Sequence, residues 1–507
     1  MKVKLIGIGV IVPLILSGNN IRVSQVELES GGPSYVYVKF DLAWENSWRD
    51  AINWDAAWVF VKYRMKDSTS WHHAYLAVND GDHVMPQGFT CDVGTTMVDG
   101  VARGIGVFIY REEQGVGDVE LQDVKLRWNY GENGLTADDK VWVKVFAIEM
   151  VYIPEGGFWI GDDATDPQYG AFRRRSEGGP VFIDTSMSDT VVVGATQYDD
   201  ELLKTYGIRI DGDDGIDTTL DGIVDNDAFP TGYKAFYCMK YEISQAAYRD
   251  FLNTLTEVQA SNRFMNSFNT TVRHYITVDT VETGYVYGCN RDEDDTLDEV
   301  NDGEWVACNC MSWADLCAFA DWAGLRPMSE LEFEKICRGE NAVVDDEFSW
   351  GDTVITPFEC LYNPGEADEV PDKGNANYNG CNSTPEPRGP IRCGAFAAIA
   401  SNRREAGASY YGVMEMSGNL WERCVTLGKS KGRQFRGTHG DGELDENGYA
   451  TNGDWPDTTA VGAGFRGGSY YAYDEVDWMR VANRRLAAAA NSTRNPRWGG
   501  RCVRTAP

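Results

Sequence analysis

Between residues 21 and 153 apolar side chains recur at period two or in short runs bounded by turn residues, over 21–28, 35–44, 57–64, 106–110, 119–128 and 141–153. In the stretch 119–126, VELQDVKL, they fall mostly on one face, as a half-buried antiparallel strand requires. Six such segments with no helical pattern among them predict a β-sandwich over residues 19–150. His72, His73 and His83 lie in this region with no cysteine or carboxylate cluster nearby, which reads as surface or loop positions.

After Gly156 the texture changes to long irregular stretches punctuated by Gly, Asp and Trp. Three helices stand out. One starts at Ser312, a good N-cap, and runs through WADLCAFADW to a stop at Gly324. A second opens on a capping box, Ser329 with Glu332, and ends before Gly339. A third follows Ser244 and sets Tyr248, Phe251 and Leu252 on one face as core residues. The fold class expected is therefore α+β, a β-sandwich followed by a region of few helices and long loops at 151–507.

Charge changes the picture of partners. Lys plus Arg total 46 against 78 Asp plus Glu, a formal charge of −32. Such a surface repels phosphate backbones and anionic lipid, so nucleic acid is excluded as a partner class. Much of the excess lies around 199–227, 291–304 and 441–457. The loops 211–227 and 292–304 are dense in carboxylates. Their Asp-Gly pairs fall out of register with the ligand positions of an EF-hand loop and its closing glutamate is missing, so they read as solvated insertions.

Lys2 and Lys4 precede an apolar run over 5–16 and then Ser17 and Gly18, the pattern of a secretory signal over residues 1–18. The run is too short to span a bilayer, and no other segment is long enough, so the protein is expected to be secreted or held at the cell surface rather than membrane-spanning. Twelve cysteines, eleven of them after residue 230, fit export and predict some disulfides. No Cys-x-x-Cys pair exists, and Cys308 with Cys310 has no histidine nearby, which disfavours structural zinc.

Several segments, taken in order, resemble the formylglycine-generating enzyme family, also called sulfatase-modifying factors. They are MVYIPEGGFWIG (150–161), YEISQAAYRDFL (241–252), SWAD…WAGLRPMSELEFEK (312–335), YGVMEMSGNLWE (411–422), FRGGS (465–469) and GGRCVR (499–504). The resemblance covers about residues 150–504 and implies a C-type-lectin-like core. It says nothing of residues 19–149.

Members of that family that oxidise a cysteine to formylglycine hold copper through two thiolates, three and eight residues after the serine of Gly-Gly-Ser. Thiolates suit Cu(I) because both are soft. Counted from Ser469, those positions are Ala472 and Asp477, so no copper and no oxidase chemistry of that kind are expected. A related branch uses a histidine-rich iron site, but only His274 and His439 follow residue 156. No Gly-x-Ser-x-Gly elbow or phosphate loop is present either. Calcium survives among the sites the resemblance implies. Its ligands become Glu415, the carbonyls of Gly418 and Leu420, and Glu422, all oxygen donors suited to a hard cation. The competing reading has Trp421 in the core and Glu422 paired with a basic residue such as Arg423 or Arg466. A second calcium site begins at Asn377 and Tyr378, where the completing loop is short and lacks an Asp. Either site is structural.

The segment replacing the copper site is YYAYDEVDW (470–478). Tyr470, Tyr471, Tyr473 and Trp478, with Asp474 beside them, are candidates to stack on and hydrogen-bond to a glycan or a partner protein. The alternative places Tyr470 and Trp478 in the core. The function expected is a binding or assembly module at an extracellular surface, with self-assembly as one form. Two other readings stand beside it, an oxidase-type enzyme with an atypical site and a receptor-binding lectin diversified between Phe465 and Arg504.

Overall fold

The computed structural model describes residues 21–163, 170–174, 178–184, 190–192, 205–209, 215–217, 225–265, 270–281, 284–294, 296–379, 388–471 and 476–507. The signal-like segment 1–18, most of the acidic stretch 199–227, Cys381, and Ala472, Tyr473 and Asp474 lie outside them.

Eight strands open the described chain. They are β1 (Arg22–Ser30), β2 (Val36–Arg49), β3 (Asp55–Met65), β4 (His72–His73), β5 (Phe89–Val98), β6 (Val101–Arg111), β7 (Gly115–Trp128) and β8 (Val141–Ile153). One leaf has the order β1-β2-β7; the other runs β8-β3-β6-β5, with β4 beside β3. The inward rows of β2 (Val38, Phe40, Leu42, Trp44) and β7 (Val119, Leu121, Val124, Leu126) pack on Ala57, Val59, Val61, Val107 and Ile109 of the facing leaf. This is the sandwich the period-two pattern predicts.

The second leaf does not end at β8. Strand Phe236–Met239 pairs with β8, Cys502–Thr505 pairs with that strand, and Arg326–Pro327 closes the sheet. Its outer face, with Ala56, Trp58, Phe60, Phe108, Ile148 and Met150, therefore enters a second core with helices α1 (Gln245–Leu252) and α3 (Trp313–Trp322), through Tyr248, Phe251, Leu316, Phe319 and Trp322. Burial on both faces explains why β3 reads as a continuous apolar run instead of alternating. Trp58 lies across Gly106 and Gly94, where an added Cβ would come within 2.5 Å and 2.6 Å of its ring, and its Nε1 donates to the Ala323 carbonyl at 2.8 Å.

A buried polar knot fixes the same junction. The Lys240 ammonium meets Glu149 at 3.0 Å and Asp55 at 3.3 Å, while Asp55 accepts from Ser47 Oγ, Trp48 N and Trp44 Nε1. Outside these strands regular structure is sparse, and α2 (Glu257–Arg263), α4 (Glu330–Arg338) and the single turn α5 (Ser430–Arg433) complete the helices described. Buried ion pairs tie the strand that ends at Arg466 and the segment around Arg484 to α4. Glu330 holds Arg466 and Arg484, and Glu334 holds Arg338 and Arg466.

Two expectations are corrected. No disulfide forms among the eleven described cysteines, ten of which are buried. Nine of the buried ones are spread through the cores as small hydrophobic side chains, with Cys238 and Cys424 in one core and Cys289, Cys317 and Cys502 in another. Only His72 of the three N-terminal histidines is exposed. His73 and His83 are buried because their Nε2 atoms bond to the carbonyls of Ile105 (2.6 Å) and Ala77 (3.1 Å), and burial lowers the pKa of both rings.

Candidate functional site

Three motifs distant in sequence lie side by side. Strand Glu422–Val425 pairs with Ala463–Arg466 in the register Glu422↔Arg466, and Trp421 bridges Trp498 in parallel. The loop before Glu422 turns sharply, with positive φ at Glu415 (56°), Gly418 (96°) and Asn419 (56°). The Gly418 amide donates to the Gly467 carbonyl at 2.8 Å, which seats this loop on the FRGGS segment. Gly467, at φ 85°, has the Met416 carbonyl 2.8 Å from where a Cβ would stand, so glycine is required there.

Asn419 is the hub of the turn. Its Oδ1 accepts from Asn377 Nδ2 and from Ile391 N, both at 2.9 Å, its amide N donates to the Asn377 carbonyl, and its Nδ2 donates to Glu242. Glu242 also accepts from Leu420 N at 3.0 Å. Glu415 Oε1 accepts from Gly394 N at 2.7 Å, and Glu422 Oε1 accepts from Arg501 Nε at 2.6 Å. The partner of Glu422 is therefore Arg501; Arg466 serves α4, and Arg423 stacks over Phe465 and Trp498.

Glu242, Glu415 and Glu422 are all buried around this loop, with Arg501 the cation that contacts one of them directly. Burial raises all three acids; Glu415 is pushed up to about 7, and Glu242 is raised further by Glu422. Glu415 Oε2 and Glu422 Oε2 are buried and have no hydrogen-bond partner among the described residues. No described group donates to the carbonyls of Gly418 or Leu420. Unpaired buried carboxylate oxygens are costly, and an all-oxygen donor set fits a hard divalent cation. Glu242 went unnoticed in the sequence as a site residue, although it lies inside the YEISQAAYRDFL motif; nothing local links it to a loop nearly 180 positions on. Asn377 gives its amide to Gly389 and Asn419, and its carbonyl to Asn419, so it braces the first loop; Tyr378, partly buried, packs beside Phe348 and Trp350.

The copper positions do not fit copper. Ala472 has no donor, and Asp477 lies in the turn Val476–Met479 and pairs with Arg480 at 2.7 Å. His274 and His439 are engaged separately, with Asn309 Oδ1 and with the Thr505 amide, each at 3.0 Å. Of the aromatic candidates, Tyr470 is buried, its amide donating to Asn419 and its ring packed with Leu420. Tyr471 and Trp478 are partly exposed. Trp478 lies 5.6 Å from Trp421, Arg485 covers its face at 5.4 Å, and Arg497 covers Tyr471 at 5.0 Å. The Trp478 indole N–H has no partner among the described residues. Elsewhere, Asp292, Asp294 and Glu299 bring carboxylate oxygens within 4.8 Å of one another at the surface of their acidic loop, a solvated cluster.

No helix among the described residues is long and apolar enough to cross a membrane. A search of curated proteins finds no match. Residues 212–506 match the sulfatase-modifying factor enzyme 1-like domain, more than half of the chain, and together with the motifs that converge on the 415–422 loop this places the protein in the formylglycine-generating, sulfatase-modifying family.

Proposed function

We propose that this protein is a secreted or cell-surface binding module that keeps the family's scaffold without its copper chemistry. The observation that supports this reading is the replacement of the thiolate pair by Ala472 and an Arg480-paired Asp477. An alanine methyl and a neutralised carboxylate offer a soft metal nothing to hold. The ligand surface is Tyr471 and Trp478, rigid aromatic faces flanked by arginines, with an unsatisfied indole donor. Its partner is a glycan or a protein.

Calcium acts in this reading as a structural ion held by Glu415, Glu422 and the carbonyls of Gly418 and Leu420. Bound there, it offsets buried negative charge and ties the loop to the strand that carries Glu422. The chain's own residues orient the site: Asn419 sets the turn, Glu242 holds its amides, and Arg501 holds Glu422.

The deciding experiment incubates the full chain with a cysteine-containing sulfatase-type peptide, copper and oxygen, and follows the peptide by mass spectrometry. An unchanged peptide is expected; loss of mass at cysteine overturns the reading. In parallel, glycan-array and pull-down signals are expected to fall in a Tyr471→Ala, Trp478→Ala double variant. Signals equal to those of the unaltered protein count against this surface.

A further inference from the structure

A cavity of about 210 Å³ lies between the first turns of α3, the α5 turn and the loop 449–458, and neither Tyr471 nor Trp478 lines it. Trp313, Trp455 and Tyr449 form its aromatic walls, and Lys431, Asn452 and Asp457 supply its polar groups. The walls are held before any ligand arrives. Trp313 Nε1 donates to the Pro456 carbonyl at 2.7 Å, Trp455 Nε1 donates to the Thr438 carbonyl at 2.9 Å, and the Arg263 guanidinium lies 4.4 Å from the centre of the Tyr449 ring. Helix α2 anchors the same loop, through Gln259 Nε2 to the Asp445 carbonyl and Asn262 Nδ2 to the Asn447 carbonyl. Fixed walls cost little ordering entropy on binding.

The polar groups, in contrast, have capacity left. Asn452 uses its Nδ2 on Thr438 Oγ1 and the His439 carbonyl, but its Oδ1 is buried and has no partner among the described residues. Lys431 forms no ion pair among the described residues, and it lies close enough to Asp457 to help lower the pKa of that acid, after the Thr459 hydrogen bonds. One cation and one anion cancel at the mouth, on a protein whose formal charge is −32, so nothing here attracts a strongly charged ligand. Aromatic faces for C–H surface, beside one ammonium donor, one amide acceptor and one carboxylate acceptor for hydroxyls, suit a small neutral polyol ring.

We propose that this cavity is a second binding site and that it takes a single neutral pyranose residue. Tyr449 and Trp455 pack on the sugar's apolar face, Lys431 donates to ring or hydroxyl oxygens, and Asn452 Oδ1 and Asp457 accept from hydroxyls.

Saturation-transfer NMR on the full chain with methyl glucopyranoside, galactopyranoside and mannopyranoside tests this. At least one is expected to receive saturation, with the signal reduced by about fivefold or more in both Tyr449→Leu and Lys431→Ala. The Tyr471→Ala, Trp478→Ala variant is expected to leave it unchanged. Lys431 is a partly exposed side chain on a single turn, so its variant keeps the test valid even where Tyr449→Leu unfolds the loop; thermal melts report which has happened. No transfer to any of the three sugars overturns the proposal, and so does transfer that persists in a folded Lys431→Ala protein. Loss of the signal in the Tyr471, Trp478 variant instead assigns sugar binding to that other surface and also overturns it.

Discussion

Glu415 carries the sharpest consequence at the scale of a single residue. Its carboxyl is fully buried, and burial lifts it from an ordinary value of 4.5 to about 7. An acid raised in this way binds its proton more tightly folded than unfolded, so its contribution favours the fold below about pH 4.5 and is lost as pH rises through 7. For Glu415 alone the loss by pH 8 is on the order of 3 kcal/mol. A divalent cation reverses the sign, because it binds the ionised pair Glu415 and Glu422. Without calcium at about pH 8, Glu415→Gln is therefore expected to melt higher than the unaltered protein, and with saturating calcium to melt lower. Calorimetric melts with chelator and with calcium check this. Two melting curves that keep the same order in both conditions remove calcium from the loop. The motif that carries Glu415 and Glu422 was legible in the sequence. The contributions of Glu242 and Arg501 were not, because partners separated by 79 residues or more meet only when the strands carrying them are brought together.

At the scale of elements, local signals placed the helices well and failed where those signals were weak. Ser312 caps α3 by accepting from Asp315 N while Asp315 reaches back to the Ser312 amide, and Ser329 and Glu332 do the same for α4. Ser312→Ala is expected to cost about 1 kcal/mol in denaturant unfolding, with Ser312→Asn close to neutral, because the cap acts through a side-chain oxygen. A Ser312→Ala protein as stable as the parent would show the cap to be dispensable. Helix α2 also has a capping box, Thr256 with Gln259, but its body EVQASNR shows no apolar stripe, so the sequence pattern passed over it. His73 and His83 were misplaced for a similar reason. Period two tells which face a strand residue takes, and says little about a two-residue strand such as that of His73 or a loop position such as His83, which a neighbouring carbonyl draws inward.

At the scale of the whole molecule, one sheet serves two cores. Trp58 and Phe60 leave the sandwich side of β3 and enter the core of α1 and α3, and Lys240 from the family domain neutralises Asp55 and Glu149 of the sandwich. Lys240→Met is expected to destabilise by about 3–5 kcal/mol, since it leaves two buried carboxylates without their cation. Both regions are expected to lose their melting transitions together, because they share the sheet. Calorimetry that shows one early and one unshifted transition would mean that the two regions unfold independently.

By itself the sequence determined six of the eight strands of the sandwich, the starts of three helices and the missing thiol pair. Each of these is written in neighbouring residues, as a period, a cap or a motif spacing. Only the tertiary structure decided that the sandwich sheet runs on into the family domain, that Arg501 opposes Glu422, that Tyr470 is core while Tyr471 and Trp478 stay partly exposed, and that the described cysteines stay apart. Those outcomes depend on which distant segments the chain lays side by side, where burial raises the energetic stake of every unpaired charge and selects the partner that can reach it.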